Sequence, residues 1–143
     1  VHLRRLQSVQ NAAARLIFIL SRRDRVTDSL LCLHWLRVPE RIRFKIAVMV
    51  YRSLHGTAPS SLSCFIRASG STSRYGLRSS DTYSDCLIVP RTRLSTTGEW
   101  AFSVSGAMIW NSLPLDITPC QTLASFRSRL KTFLFQQSYS VGT

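Results

Sequence analysis

A helix is the structure that the stretch Pro39-Glu40-Arg41-Ile42-Arg43-Phe44-Lys45-Ile46-Ala47-Val48-Met49-Val50-Tyr51-Arg52 predicts. Its apolar residues leave little polar surface, and its basic residues Arg41, Lys45 and Arg52 share a single stripe at helical spacing. Pro39 suits the first helical position, and Gly56 favours termination of the helix. We therefore expect a buried helix around Ile42 to Tyr51, on which the other helices pack.

A second amphipathic helix is predicted upstream, over residues 2–20. Its apolar residues recur at intervals of three and four and form one stripe: Leu6, Val9, Ala13, Leu16 and Leu20. A different stripe of the same helix is polar and cationic: Arg4, Asn11, Arg15 and Arg22. The chain therefore opens, in this interpretation, with a helix that is apolar on one side and cationic on another.

Shorter helices are predicted between and after these two. One lies near residues 27–37 and ends there because Pro39 disfavours helix before it, and another follows Pro59. Residues 100–111 also permit a strand, but the capping-box spacing of Thr96 and Glu99 favours a helix. A last helix starts near Thr118 or Thr122 and directs Arg127 and Lys131 outward.

Between the helical parts the composition changes. Residues 67–85 are rich in serine, glycine and arginine and are typical of a loop. Residues 75–78 and 86–94 could pair as a ribbon, with Pro90 indicating an edge strand and Arg91 and Arg93 on one face. The fold class that we predict is mainly α. It is a single small domain, 1–143, of four to six helices with a short β-ribbon insertion: helical over 1–66, loop and ribbon over 67–97, helical over 98–143.

The charge of the chain indicates a polyanionic partner. The formal net charge is +12 over 143 residues, and 19 residues are basic. All of these except Lys45 and Lys131 are arginines, whose planar guanidinium suits phosphates and guanine and stacks on bases. On charge alone, nucleic acid is the first expectation and an anionic membrane the second, with an ordinary solvated surface as the alternative. No membrane partner is predicted, because the basic helices lack a clean apolar face rich in exposed aromatic residues.

Catalytic patterns are lacking in the sequence. Asp81 and Asp85 are the nearest approach to paired carboxylates, and they fall in the serine-rich loop, where a turn-forming role is expected. There is no glycine-rich phosphate loop and no nucleophile elbow. The sequence thus predicts no activity of its own, no cofactor and no small-molecule substrate.

The four cysteines are spread too widely to predict a metal site. Cys32, Cys64, Cys86 and Cys120 form no closely spaced pair. We expect free buried thiols in a reducing, intracellular compartment. No secretory signal or membrane-spanning run is present, and Val1 falls inside a predicted helix, as in a segment of a longer protein.

Nine blocks of the chain resemble one known family when they are taken in order. They are LQSVQNAAARL (6–16), LHWLRV (33–38), RIRFKI (41–46), YRSLHGTAP (51–59), LRSS (77–80), VPRTRL (89–94), AFSV (101–104), WNSLP (110–114) and SFRSRLKTFLF (125–135). Each block is weak alone, but their collinear order is similar to the region that follows the polymerase in open reading frames of non-LTR (LINE-type) retrotransposons. Arg37, His55 and Thr57 depart from the usual family pattern.

The resemblance implies a C-terminal part of a reverse transcriptase, with the catalytic residues outside this chain. In that family the region is thought to help hold template RNA or target DNA during target-primed reverse transcription, in the nucleus or cytoplasm. The matched blocks carry this role to Arg15, Arg41, Lys45, Arg91, Arg93, Arg127 and Lys131. The helical stripes add Arg4, Arg22 and Arg52 as candidate nucleic-acid contacts. Tyr75, Trp100 and Trp110 are candidates for stacking on unpaired bases, but burial in the core is the stronger expectation for the two tryptophans.

Two alternatives remain open from the sequence. The first is a protein-interaction or scaffolding module that packs on the polymerase domain of the parent polypeptide. In that case the stripe of Leu6, Val9, Ala13, Leu16 and Leu20 would be exposed in this chain alone, which would then aggregate. The second is an inactive relic of a retroelement.

Overall fold

The fold is mainly α, as predicted. The computed structural model describes residues 2–63, 86–91 and 101–139. Within them lie six helices: α1 (His2–Phe18), α2 (Thr27–Cys32), α3 (Val38–Leu54), α4 (Ser60–Ser63), α5 (Phe102–Asn111) and α6 (Leu123–Tyr139). The choice of helix over strand for α5 is confirmed.

The predicted β-ribbon is not seen in the described residues. Residues 86–91 contain an isolated bridge position at Leu87 and no strand. The other half of the ribbon, residues 75–78, lies outside the described residues, as do Arg93, Trp100, the Asp81 and Asp85 pair and the Thr96–Glu99 capping box. The ribbon therefore stays a prediction.

The chain divides into two compact units. The terminal unit comprises residues 1–44 and 130–143, and the central unit comprises residues 45–129. The boundaries fall within α3 and α6. Each unit is considered by itself below.

Three helices end in the same way, with one residue in the left-handed region. These residues are Ile19 (φ 52°), His34 (φ 51°) and Gly56 (φ 66°). In each case the next backbone N–H donates to the carbonyl five residues back: Leu20 to Arg15 (2.9 Å), Trp35 to Leu30 (3.0 Å) and Thr57 to Arg52 (2.8 Å). Glycine signals this termination in a sequence, but isoleucine and histidine do not, so α1 ends two residues earlier than predicted.

In the terminal unit α1 packs through polar and small side chains. Gln10 and Ala14 are buried. Gln10 Nε2 donates to the carbonyl of Leu36 (2.8 Å), and Gln7 Oε1 accepts from the backbone N–H of Val38 (2.9 Å). The two glutamines thus satisfy backbone groups of the turn between α2 and α3, which would otherwise be without partners.

The apolar stripe of α1 is consequently not part of the core. Leu6, Val9 and Leu16 are exposed. Successive residues advance by about 100° around a helix, so the stripe lies roughly a quarter turn from Gln10 and Ala14. Periodicity identified the apolar side of the helix correctly. The side of α1 that packs is the neighbouring one, because the backbone of residues 36–38 requires amide partners and Gln7 and Gln10 supply them.

The end of α6 completes the terminal unit. Tyr139 Oη donates to the carbonyl of Trp35 (2.6 Å), and the guanidinium of Arg37 lies 5.2 Å from the centre of the Tyr139 ring. His34 stacks on Phe135 with ring centroids 5.8 Å apart. Leu134 is buried in the preceding turn. These contacts anchor the last described residues of the chain.

The central unit is organised around Phe126, which has no exposed surface. Its ring stacks on Tyr51 at 4.4 Å and lies 5.8 Å from Trp110, which confirms the prediction that Trp110 is a core residue. Tyr51 Oη donates to the carbonyl of Cys120 (2.8 Å). An aromatic cluster with its hydroxyl satisfied therefore forms the core of this unit.

The expectation of an almost fully buried α3 is only partly correct. Ala47, Val50 and Tyr51 are buried, whereas Ile42 and Met49 are exposed. The helix is therefore covered along one side. Its opposite side, which carries the basic stripe, is exposed at Arg41, Ile42, Lys45, Met49 and Arg52.

The described cysteines are free, but they differ in burial. Cys120 is buried, Cys86 is half-buried and Cys32 is exposed, so the expectation of burial is wrong for Cys32. Cys64 lies outside the described residues. None of the described helices is long and apolar enough to cross a membrane.

Candidate nucleic-acid interface

The open side of α3 carries three cationic side chains. Arg41, Lys45 and Arg52 are exposed, as predicted. At 1.5 Å rise per residue they extend over about 16 Å of the helix, and steps of four and seven residues keep them on one face. The single acidic residue of α3, Glu40, is half-buried and about 100° away from Arg41 around the helix. The face is therefore cationic without a neutralising carboxylate of its own helix.

Two of these three side chains have no partner within the part of the chain that the structure describes. Within residues 2–63, 86–91 and 101–139, the side chains of Arg41 and Lys45 make no hydrogen bond or ion pair. Arg52 Nη2 donates to the carbonyl of Thr57 (3.0 Å), beyond the end of the helix. Among the described residues, nothing competes with an external anion for the donors of Arg41 and Lys45.

The cationic stripe of α1 is shorter than the sequence predicts. Arg22 is exposed but lies in the turn after Phe18, so it leaves the stripe. Arg15 is half-buried, and its Nη2 lies 3.5 Å from the carbonyl of Asp24. Arg4 remains exposed on the helix. Because α1 ends early and Arg15 turns toward its own chain, α1 presents a weaker cationic face than α3.

The outer side of α6 carries two further cations. Arg127 and Lys131 are exposed, as predicted, and lie one helical turn apart. Arg129 differs, because its Nη1 donates to the carbonyl of Asp116 (2.9 Å) and thereby holds the turn before the helix. The helix from Leu123 to Tyr139 contains no acidic residue.

Arg91 ends a short segment that one asparagine holds in place. Asn111 Oδ1 accepts from the backbone N–H of Leu87 (2.8 Å), and Asn111 Nδ2 donates to the carbonyl of Leu87 (2.9 Å). The amide thus makes the two bonds that a neighbouring strand would make. Leu87 is buried and Arg91 is exposed. The expected pairing of Arg91 with Arg93 falls outside the described residues.

The candidate contacts are distributed over both units. The terminal unit carries Arg4, Arg15, Arg22, Arg41 and Lys131, and the central unit carries Lys45, Arg52, Arg91 and Arg127. Trp110 is buried and therefore cannot stack on a base from outside; Tyr75 and Trp100, the other candidates for stacking, are not described. The roles of Gln7, Gln10 and Asn111 could not be predicted from the sequence, since side chains that bond to distant backbone leave no periodic signal.

The described part of the chain contains no group of three or more His, Cys, Asp or Glu residues arranged to hold a metal ion. Comparisons with protein-family models, with curated proteins and with solved structures find nothing that matches this chain. The geometry of the chain itself therefore carries the functional argument.

Proposed function

We propose that this chain is a non-catalytic nucleic-acid-binding module, the region that follows the polymerase in a non-LTR retrotransposon reverse transcriptase. Its role is to help hold template RNA or target DNA, in the nucleus or cytoplasm, beside the polymerase domain of the same polypeptide. The observation that carries the proposal is the open face of α3, where Arg41, Lys45 and Arg52 lie on one side of a helix whose single acidic residue, Glu40, lies on another side. The collinear blocks of sequence support the family assignment.

The charge of the face fits a phosphate backbone. One strand of a duplex places a charge about every 3.4 Å along its axis, so a face of about 16 Å can contact several phosphates. Each phosphate that a cation neutralises releases counterions, which contributes a slope of about 0.7–0.9 to the dependence of log affinity on log salt. Binding through this face is therefore measurable as a salt slope.

The test compares two doubly substituted full-length chains with the original. Arg41→Gln with Lys45→Gln removes two charges from the face, and Arg23→Gln with Arg25→Gln removes two from the exposed turn after α1. Binding is measured to a structured RNA, a duplex DNA and a single strand across a salt series. We expect the α3 pair to lower the slope by about 1.4–1.8 and the turn pair to change it by much less.

Equal losses in the two variants, with no preference among the three nucleic acids, would reduce the interaction to unspecific charge and refute the proposal. Preferential loss in the α3 pair on one nucleic acid would support it and identify the ligand.

The second candidate function, a protein-interaction module, is favoured by a different observation, the exposed apolar side of α1.

A further inference from the structure

Exposed apolar surface is concentrated on α1 and the residue that follows it. Of the 14 large hydrophobic side chains exposed in the described residues, seven lie between Leu3 and Ile19. Val9 is 68% exposed, Leu16 is 81% exposed, and Leu6 and Ile17 are each 55% exposed. Scattered exposed apolar residues are ordinary, but a contiguous row along one helix is typical of an interaction surface.

We propose that this row is a docking face for an acidic amphipathic helix of a protein partner. The docking face comprises Leu6, Val9, Ala13 and Leu16 on α1. The inference goes beyond nucleic-acid binding, because these residues differ from the cations of α3 and make a contact of a different kind.

The spacing of the docking face specifies a helix as its occupant. Its members follow one another at intervals of three, four and three residues, which is the a and d pattern of a helix pair. Ala13 lies in the middle, where a small side chain allows the backbone of a partner helix to approach closely. The docking face contains no aromatic residue, whereas the apolar side of helices that lie on membranes is rich in tryptophan and phenylalanine as well as leucine.

The charge of the chain favours an acidic partner. Arg5 is exposed beside the docking face, about 20° from Leu16 around the helix, and α1 contains no acidic residue. Arg4 and Arg15 lie on the other side of α1 and do not border the face. A second copy of the chain would bring the same net charge of +12, which opposes self-association, whereas a glutamate at the flank of a partner helix would pair with Arg5.

The experiment uses the full chain and a synthetic helical peptide of about three heptads with leucine at a and d and glutamate at e and g. Binding is followed by fluorescence anisotropy of the peptide at about 0.15 M salt, where long-range attraction is largely screened. We expect Leu16→Ser to weaken binding about tenfold, since a large apolar side chain loses its burial. Leu115→Ser is the matched control, because Leu115 is 80% exposed and lies outside α1.

Three comparison probes make the result decisive. A peptide with the same glutamates but serine in place of leucine carries the same charge, and equal binding of it would overturn the proposal. Equal binding of a peptide with lysine at e and g would overturn the acidic character of the partner. Anionic vesicles bound in preference to the acidic peptide, or a dimer of the chain that Leu16→Ser dissociates, would each assign the face to another occupant.

The outcome is independent of the proposed function. Leu16→Ser changes no charge, so we expect its affinity and salt slope for nucleic acid to equal those of the original chain. Because Leu16 is exposed, we also expect its thermal unfolding to be unchanged, which separates loss of docking from loss of folding.

Discussion

The hydroxyl of Tyr139 donates a hydrogen bond of 2.6 Å to the carbonyl oxygen of Trp35, across 104 residues of sequence. The same ring lies 4.8 Å from the ring of Phe135 and beneath the guanidinium of Arg37. The bond therefore joins the last turn of α6 to the backbone between α2 and α3. The stability of the terminal unit is therefore sensitive to substitution of Tyr139.

Replacing Tyr139 with phenylalanine tests the worth of this bond. Tyr139→Phe keeps the ring and its contacts but leaves the carbonyl of Trp35 without its donor. We expect the free energy of unfolding to fall by about 1 kcal/mol, the usual net value of one hydrogen bond, in a urea titration. An unchanged midpoint would mean that water replaces the hydroxyl at no cost.

The same residue predicts a dependence of stability on alkaline pH. Burial raises the pKa of Tyr139 above its ordinary value of about 10, and the nearby charge of Arg37 offsets part of this increase. Above pH 10 the unfolded chain then loses this proton before the folded chain does, so the unfolded state binds fewer protons and stability falls as pH rises. We expect a steeper fall above pH 10 in the original chain than in Tyr139→Phe, whereas parallel curves would contradict this assignment.

The strained end of α1 predicts a stabilising substitution. Ile19 has φ 52° and is 93% exposed, so it bears the cost of a left-handed conformation without gaining burial. Ile19→Gly relieves about 1–2 kcal/mol of steric cost and loses about 0.5–1 kcal/mol through the freedom of glycine in the unfolded chain. We expect a net gain of about 0.5–1 kcal/mol in thermal unfolding.

A glycine elsewhere on the same helix is the control for that gain. Ala12 is exposed within α1 and has ordinary helical geometry, so Ala12→Gly should destabilise by about 1 kcal/mol. The opposite signs of the two substitutions are the prediction. A loss of stability in both would show that the left-handed termination at Ile19 does not form.

The amide of Gln10 predicts a loss that hydrophobic reasoning would not anticipate. Gln10→Ala removes the donor to the buried carbonyl of Leu36, and we expect destabilisation by about 1–2 kcal/mol. Ser8→Ala, on the exposed side of the same helix, should change stability by less than about 0.5 kcal/mol. Similar denaturation midpoints for the two variants would show that the Gln10 amide does not stabilise the packing of α1.

The burial of a helix could be predicted from the sequence where its apolar side is also the covered side. In α6 the apolar residues Phe126, Leu130 and Leu134 are all buried, and Trp110 is buried as expected. In α1 the apolar side is the exposed one, since periodicity shows that a helix has an apolar side but not what covers it. Gln10 is buried where its amide bonds to the distant carbonyl of Leu36, and no local pattern in the sequence reveals this contact.

The candidate site, too, could be predicted from the sequence only in part. Exposure of Arg41, Lys45 and Arg52 follows from their spacing on one long helix, so the sequence sufficed to predict it. Arg22 was misplaced because the prediction extended α1 beyond the left-handed residue Ile19. Arg15 was placed on the correct helix, but its contact with the backbone of Asp24 is a tertiary contact that spacing alone does not encode.

The terminal unit combines segments that are far apart in the sequence, and this arrangement has a consequence during translation. Translation delivers residues 1–44 before residues from 130 onward, yet both belong to one compact unit. The carbonyl of Trp35 meets its phenolic donor only after Tyr139 has left the exit tunnel. Until then α1 and α2 of the nascent chain lack the contacts that the end of α6 makes. During this interval their surface is available to a chaperone.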